Sequence, residues 1–333
     1  MKTPFGPLVV CLFACLSLHA RADGLSDLRS LSVFRDADLN RLGGGEVLAG
    51  RGPAMNFNRG LAVESAYTVR APVPRTVNLH QQWDASRHPE LKVYVEGEVP
   101  GRPSPASFER LATAPANGSV NAFANATLSV AADPAKLQVS AAEAKFFQPA
   151  GETGKGLNGG VVQFWSRVLA ERAQAFASGG ITAGPAFEGS NGPVRPGDDA
   201  QRLLAENGKV RQQFGPVLDR SGHGPTTWRL FDVDGQAAVS LSSFSSVPVN
   251  DGALAEDATY YSSGGFYVLL TFFRFWSVTV NNQPATLVWR VDLISSPAFS
   301  ELRGIERVGS GAAFMREIQR SVKAFLRDSG TGR

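Results

Sequence analysis

Cysteine is almost absent from this sequence. Only Cys11 and Cys15 occur, and both sit in the opening stretch MKTPFGPLVVCLFACLSLHARADG. That stretch has a cation at Lys2, an apolar run from Leu8 to Leu18, and then Ala20-Arg21-Ala22, the small-residue pattern that a signal peptidase requires. An apolar core of about eleven residues falls short of the roughly twenty that span a bilayer. Residues 1–22 are therefore expected to be a signal peptide, and the chain to be exported to a periplasm or the extracellular medium. The mature protein should begin at Asp23. Intact mass of the exported protein checks this; a mass carrying a lipid on Cys15, or the uncleaved start, would defeat it. Without residues 1–22 no cysteine remains, which excludes disulfides, thiol nucleophiles and cysteine-ligated metals.

An excess of one charge is also missing. Lys2 and Arg21 leave with the leader, taking Lys+Arg from 33 to 31 against 30 Asp+Glu. No basic stripe with interleaved aromatics stands out, so nothing supports nucleic-acid binding. No fixed-period repeat occurs. The longest apolar stretch of the mature chain, FYVLLTFFRFWSVTV from Phe266 to Val280, is interrupted by Arg274 and rich in aromatic and branched residues; it reads as a covered strand, and no transmembrane segment is expected after signal removal.

From Leu25 to Val99 the texture is mixed. A short helical start, LSDLRSLSVF, is followed by a glycine turn at Gly43–Gly45 and by GLAVESAYTVRA, whose alternation predicts a strand. In PVPRTVNLHQQWDASRHPE, prolines at the entry and Pro89 as a stop predict a helix between Val73 and His88. LKVYVEGEV reads as another strand. Residues 101–225 are rich in Ala, Gly, Ser and Pro and broken by turn signals, with helical spacing at Val161, Trp165, Val168, Leu169, Ala173 and Phe176 and a further helix signal around Leu203, Leu204 and Phe214. From Thr226 onward strands dominate. Two runs meet at Asp234-Gly235, the pairing a tight hairpin prefers, and NNQPA turns the chain into TLVWRVDLI, where Leu287, Trp289, Val291 and Leu293 point one way and Arg290 and Asp292 the other. GAAFMREIQRSVKAFLRD then places Phe314, Ile318, Val322, Phe325 and Leu326 on one helical stripe. The expected fold class is α+β: one domain over residues 23–330 with an antiparallel sheet packed on a long C-terminal amphipathic helix, interrupted by a helix-rich insertion at about 101–225.

The order of LAVESAYTVRAPVPRTVNLHQQW running into a proline-flanked helix, later antiparallel strands, and a last helix after GSGAAF resembles the START-like, helix-grip superfamily. The likeness covers roughly residues 61–99 and 226–328 and lies in element order. It implies a curved sheet wrapping the last helix around an apolar cavity for a lipid or similar ligand.

His80, Asp84 and His88 are spaced four apart, which invites a metal reading. Zinc needs three or four ligands at about 2.0–2.2 Å, whereas i and i+8 lie about 12 Å apart along a helix. The mature chain offers only His80, His88 and His223 besides carboxylates, so no metal and no cofactor is expected, with His88 capping a helix end and His80 partly buried or at the surface. Gly189-Ser190-Asn191-Gly192 lacks nucleophile-elbow spacing. GETGKGLNGG lacks the Ser or Thr and the glycine spacing of a phosphate loop. Ser221 beside His223 reads as a glycine-loop pair. Asp232, Asp234 and Asp292 are the first carboxylates to examine for glycoside hydrolysis. No catalytic residue is assigned. Arg274 shares strand parity with Phe272 and Trp276, and an unpaired guanidinium on an apolar face is costly, so it needs a protein carboxylate, a carbonyl cluster, an exit to water or a ligand head group. These three, with Trp289, are the candidate ligand-binding residues, Arg274 anchoring an anionic head group and the aromatics lining the apolar part. The leading expectation is a secreted, non-enzymatic protein that binds a hydrophobic or amphipathic, lipid-like small molecule. The competitors are an exported hydrolase of glycan or ester and a structural or interaction module with a filled core.

Overall fold

A computed structural model describes residues 23–148, 155–189, 192–301 and 305–331. The leader, the start of the GETGKGLNGG stretch and the centre of Gly189-Ser190-Asn191-Gly192 lie outside the described residues.

In chain order the elements are α1 (Gly24–Leu31), α2 (Leu39–Gly43), β1 (Leu48–Arg51), β2 (Gly60–Val69), α3 (Val73–Gln82), β3 (Val93–Val99), α4 (Gly118–Leu128), α5 (Ala141–Ala144), α6 (Gly159–Gly179), β4 (Phe187–Gly189), β5 (Gly192–Val194), α7 (Pro196–Glu206), α8 (Gly208–Leu218), β6 (Thr226–Val233), β7 (Gln236–Val249), β8 (Gly252–Ser262), β9 (Val268–Val280), β10 (Gln283–Ser295), α9 (Pro297–Glu301) and α10 (Ile305–Asp328). Local chemistry explains many boundaries. Asp23 caps α1 by accepting from the Leu25 amide, and Asn117 caps α4 by accepting from the Val120 amide. Asp234 and Gly235 both take positive φ, 50° and 89°, so the two-residue turn between β6 and β7 follows the right-handed strand twist. Asn281 and Asn282 do the same between β9 and β10, at 51° and 59°.

The fold is α+β. Among the described residues eight strands form one antiparallel sheet in the order β1-β2-β10-β9-β8-β7-β6-β3, and β4 pairs with β5 separately. The central pairing is long and regular: Trp289 faces Arg274 and Ala66, while Arg290 faces Phe273 and Ser65. Strand alternation therefore divides the sheet residues into two sets.

Helices cover both sets. On one face, Tyr67, Phe273, Phe275 and Val288 pack with Val77 of α3 and with Ile318, Val322, Phe325 and Leu326 of α10. On the other, α6 lays Phe164, Trp165, Val168 and Leu169 in the core that includes Trp228, Val239 and Leu241, and α7, α8 and the N-terminal helices cover Phe272, Trp276, Leu287 and Trp289. The segment 101–225 thus joins its core to the sheet. Burying a large apolar side chain contributes about 1.5–3 kcal/mol, and Trp165, Trp228, Trp276 and Trp289 are all fully buried.

The helix expected over Val73–His88 is shorter than the spacing predicts. It stops at Gln82 because Trp83 takes an extended conformation, and Asp84 then caps a separate 3-10 turn at Ala85–Arg87 by accepting from Ser86. The diversion is tertiary: the Trp83 indole N–H and the His88 Nε2 both meet Asp328 Oδ2 at the end of α10, at 2.9 and 2.8 Å. His88 is consequently buried against α10 instead of capping the end of α3.

Candidate functional site

The arrangement with most chemical content lies on the sheet face beneath α3 and α10. His80 projects from α3 onto that face. Its ring stacks on Phe325 with centroids 4.0 Å apart, lies 4.8 Å from Phe273, and brings Nε2 to 3.2 Å from the Tyr67 hydroxyl. Burial, with the Arg290 charge second, drives the imidazole down to about 3, so it is neutral at any ordinary pH. Burial likewise pushes the Tyr67 phenol up.

Beside this aromatic group runs a polar row. Arg290 grips Asp292 by Nε and a terminal nitrogen, at 2.8 and 2.7 Å, and the Thr271 hydroxyl donates to the same carboxylate at 2.8 Å. Asp292 has no exposed surface. Burial opposes the Arg290 charge, but the Asp292 carboxylate outweighs it and holds the guanidinium above its usual range. Next along the row, in register with Thr271 on β9 and Phe244 on β7, is Asp257. Asp257 is half-buried in the sheet face. Burial raises its pKa against the pull of Arg229 and Arg290. It accepts no side-chain hydrogen bond among the described residues.

The row continues to β6 and β3. Arg229 Nε sits 3.0 Å from Glu96 Oε2. Burial pushes Glu96 up to about 7 despite Arg229, with Asp84 adding to the rise. For Asp84, hydrogen bonds from Ser86, Glu96 and Arg87 outweigh the opposing effect of burial and hold it low. A depression of about 220 Å³, lined by Gln81 of α3, Arg220, His223 and Phe244, opens beside this row. Phe244, on its wall, is the cross-strand neighbour of Asp257. Gly224 is required at its rim, since a Cβ there would lie 1.6 Å from the Phe244 carbonyl oxygen.

Arg274, Phe272, Trp276 and Trp289 share one face as their parity predicts, but it is the opposite face. Arg274 finds its counter-charge within the chain: it pairs with Asp251, donates to the Ala253 carbonyl at 3.4 Å, and lies 5.1 Å from the Trp276 ring centroid. Phe272 and Trp289 pack on Phe214 of α8, at 5.0 and 5.8 Å. The expected anion partner of Arg274 is therefore supplied by a protein carboxylate.

His80, Asp84 and His88 do not converge, and among the described residues no group of three or more His, Cys, Asp or Glu is placed to hold a metal ion. Asp232 accepts from Lys92 and Tyr94, both at 3.3 Å, and from Ser119, while Asp234 occupies the β6–β7 turn and Asp292 is held by Arg290; these three aspartates form no common site. Ser221 engages Glu256 rather than acting with His223. Sequence reasoning missed Asp257: alternation puts it opposite Glu256, but only the strand register brings it beside Thr271 and Phe244 on the face that α3 and α10 cover. Among the described residues no helix is long and apolar enough to cross a membrane. No protein-family model matches the chain, and no curated protein is similar to it.

Proposed function

We propose that the protein is an exported binding protein of the START-like, helix-grip type that holds an amphipathic small molecule between the sheet and helices α3 and α10. Asp257 carries the reading. A half-buried carboxyl that accepts no side-chain hydrogen bond among the described residues sits between two guanidinium groups and beside aromatic side chains. Such a group costs stability unless a ligand satisfies it, and few convergent polar groups in an apolar surround are what orient a small ligand. The polar head lies at Asp257, with Arg290 and Arg229 on either side, and the apolar part follows Phe244, Leu269 and Phe273. The strand order supports the helix-grip reading: β2 pairs with the last strand, β10, and α10 follows across the same face.

Asp257→Leu tests it, since the two side chains have similar shape. The variant should be at least as stable as the unliganded parent in urea denaturation, because burial, which raises the Asp257 pKa, disfavours its charged form. The small molecule recovered by organic extraction and mass spectrometry should fall at least about tenfold in occupancy, the equivalent of one lost charge-assisted hydrogen bond. Unchanged occupancy, or no extractable molecule from the parent, would overturn the proposal. One observation favours a second reading, an exported hydrolase: Glu96 and Asp84 share a proton-bearing contact beside Arg229. Turnover of a chromogenic glycoside or ester that is lost in Glu96→Gln would put that reading first.

A further inference from the structure

Glu64 stands on β2 on the face away from α3 and α10, and it is 4% exposed. One of its oxygens is fully engaged. Oε2 accepts from the Val33 amide and from the Trp289 indole N–H, both at 3.0 Å. Oε1 accepts no hydrogen bond among the described residues, nor is it sealed in as a buried atom without a partner. The residue borders a cavity of about 240 Å³ that Leu31 of α1, Val210 of α8, and Trp289 and Val291 of β10 enclose, with Glu206 and Lys209 at its rim. The fold fixes this geometry firmly: Trp289 is wedged against Phe214 and tied to Glu64, so neither wall can turn away.

We propose that this cavity is a second small-molecule site, which takes a neutral, mainly apolar molecule whose single N–H or O–H donates to Glu64 Oε1. Donor chemistry follows from the free carboxyl oxygen. Neutrality suits the mixed charges: the carboxyls of Glu64 and Glu206 are offset by Lys209 at the cavity and by Arg35 acting on Glu64, so no single sign of charge is left to select an ion. Burial raises the pKa of Glu64, as it does for any acid held in such a place, and the two N–H donors only partly offset this. The apolar body lies on Trp289 and Val291. The site stands on the opposite side of the sheet from Asp257 and is independent of that reading.

Indole and benzofuran separate the proposal from simple cavity filling, because they share shape while indole alone carries an N–H donor. Each is titrated into the full chain, and the indole N–H signal of Trp289, assigned by its loss in Trp289→Phe, is followed by NMR. Indole should shift that signal and bind about tenfold more tightly than benzofuran, the value of one hydrogen bond to a charged or desolvated acceptor. In Glu64→Gln the amide oxygen keeps the bonds to Val33 and Trp289 and turns its NH₂ into the cavity, so the preference should invert toward benzofuran. Val210→Phe fills the cavity from α8 and should abolish binding of both probes even if Glu64→Gln fails to fold. Asp257→Leu should leave indole binding unchanged. Equal affinity of the parent for the two probes, no movement of the Trp289 signal, or binding that survives Val210→Phe would overturn the proposal.

Discussion

Arg290→Met is expected to cost about 3–5 kcal/mol of folding stability, enough to unfold many proteins of this size. The cost arises from the partner left behind. Asp292 has no exposed surface, and of its hydrogen bonds only the one from Thr271 would survive. A buried carboxylate without a counter-charge must either stay ionised in a poor solvent or take up a proton, and both routes lower stability. The measurement is urea denaturation at pH 7. The double change Arg290→Met with Asp292→Leu should recover most of the loss, because replacing both members of a buried pair by apolar side chains is often neutral. A loss below about 1 kcal/mol in the single variant would show that Asp292 is far better solvated than its burial indicates.

The second large effect is on pH dependence. Glu256 lies on the face opposite Asp257, 3% exposed, with Ser221 as its hydrogen-bond partner. Burial pushes it from an ordinary 4.5 up to about 7, with the Ser221 bond opposing and the neighbouring Asp257 charge adding to the rise. A folded-state pKa above the unfolded one means that the native state holds its proton longer. The stability contributed by protonated Glu256 is therefore complete below 4.5 and is lost as pH rises through about 7. The loss across that window is about 3 kcal/mol. Glu96, also raised to about 7, adds a loss of the same sign. His80 works the other way: its pKa is lowered to about 3, so its contribution is complete above 6.5 and falls as pH drops below that. Stability should consequently be greatest in mildly acidic solution and decline toward pH 8. Glu256→Gln keeps a partner for Ser221 and cannot ionise, so it should match the parent at pH 4.5 and exceed it by up to about 3 kcal/mol at pH 8. Parallel stability curves for the two proteins from pH 4.5 to 8 would defeat this account.

Much of the local structure was legible in the sequence. The alternation in GLAVESAYTV and TLVWRVDLI becomes β2 and β10, the Asp234-Gly235 and Asn281-Asn282 pairs become the expected turns, and the apolar spacing around Trp165 and Leu169 becomes α6. These features depend on periodicity and φ preference, which neighbours in the chain set among themselves. Parity also separated Trp289 from Arg290 correctly. It could not assign them roles. Parity put Arg290 and Asp292 on the face opposite Trp289 without saying what covers it; α3 and α10 cover that face and make the pair a buried one.

Tertiary structure alone decided the rest. Arg274 meets Asp251 of the β7–β8 turn, His88 and Trp83 meet Asp328 at the end of α10, and Glu64 meets Trp289 from 225 residues away. No local period encodes such pairs, because each exists only where strand order and helix docking bring distant backbones within hydrogen-bond reach. The same holds for which face carries the candidate site. The sequence by itself determined that the chain alternates into two-faced strands; the packing of α3 and α10 on one face and of α6, α7 and α8 on the other determined which carboxyls are buried and which cations lie near them, as Arg290 does Asp292, because burial and the distance to a counter-charge are properties of the assembled layers and not of any segment.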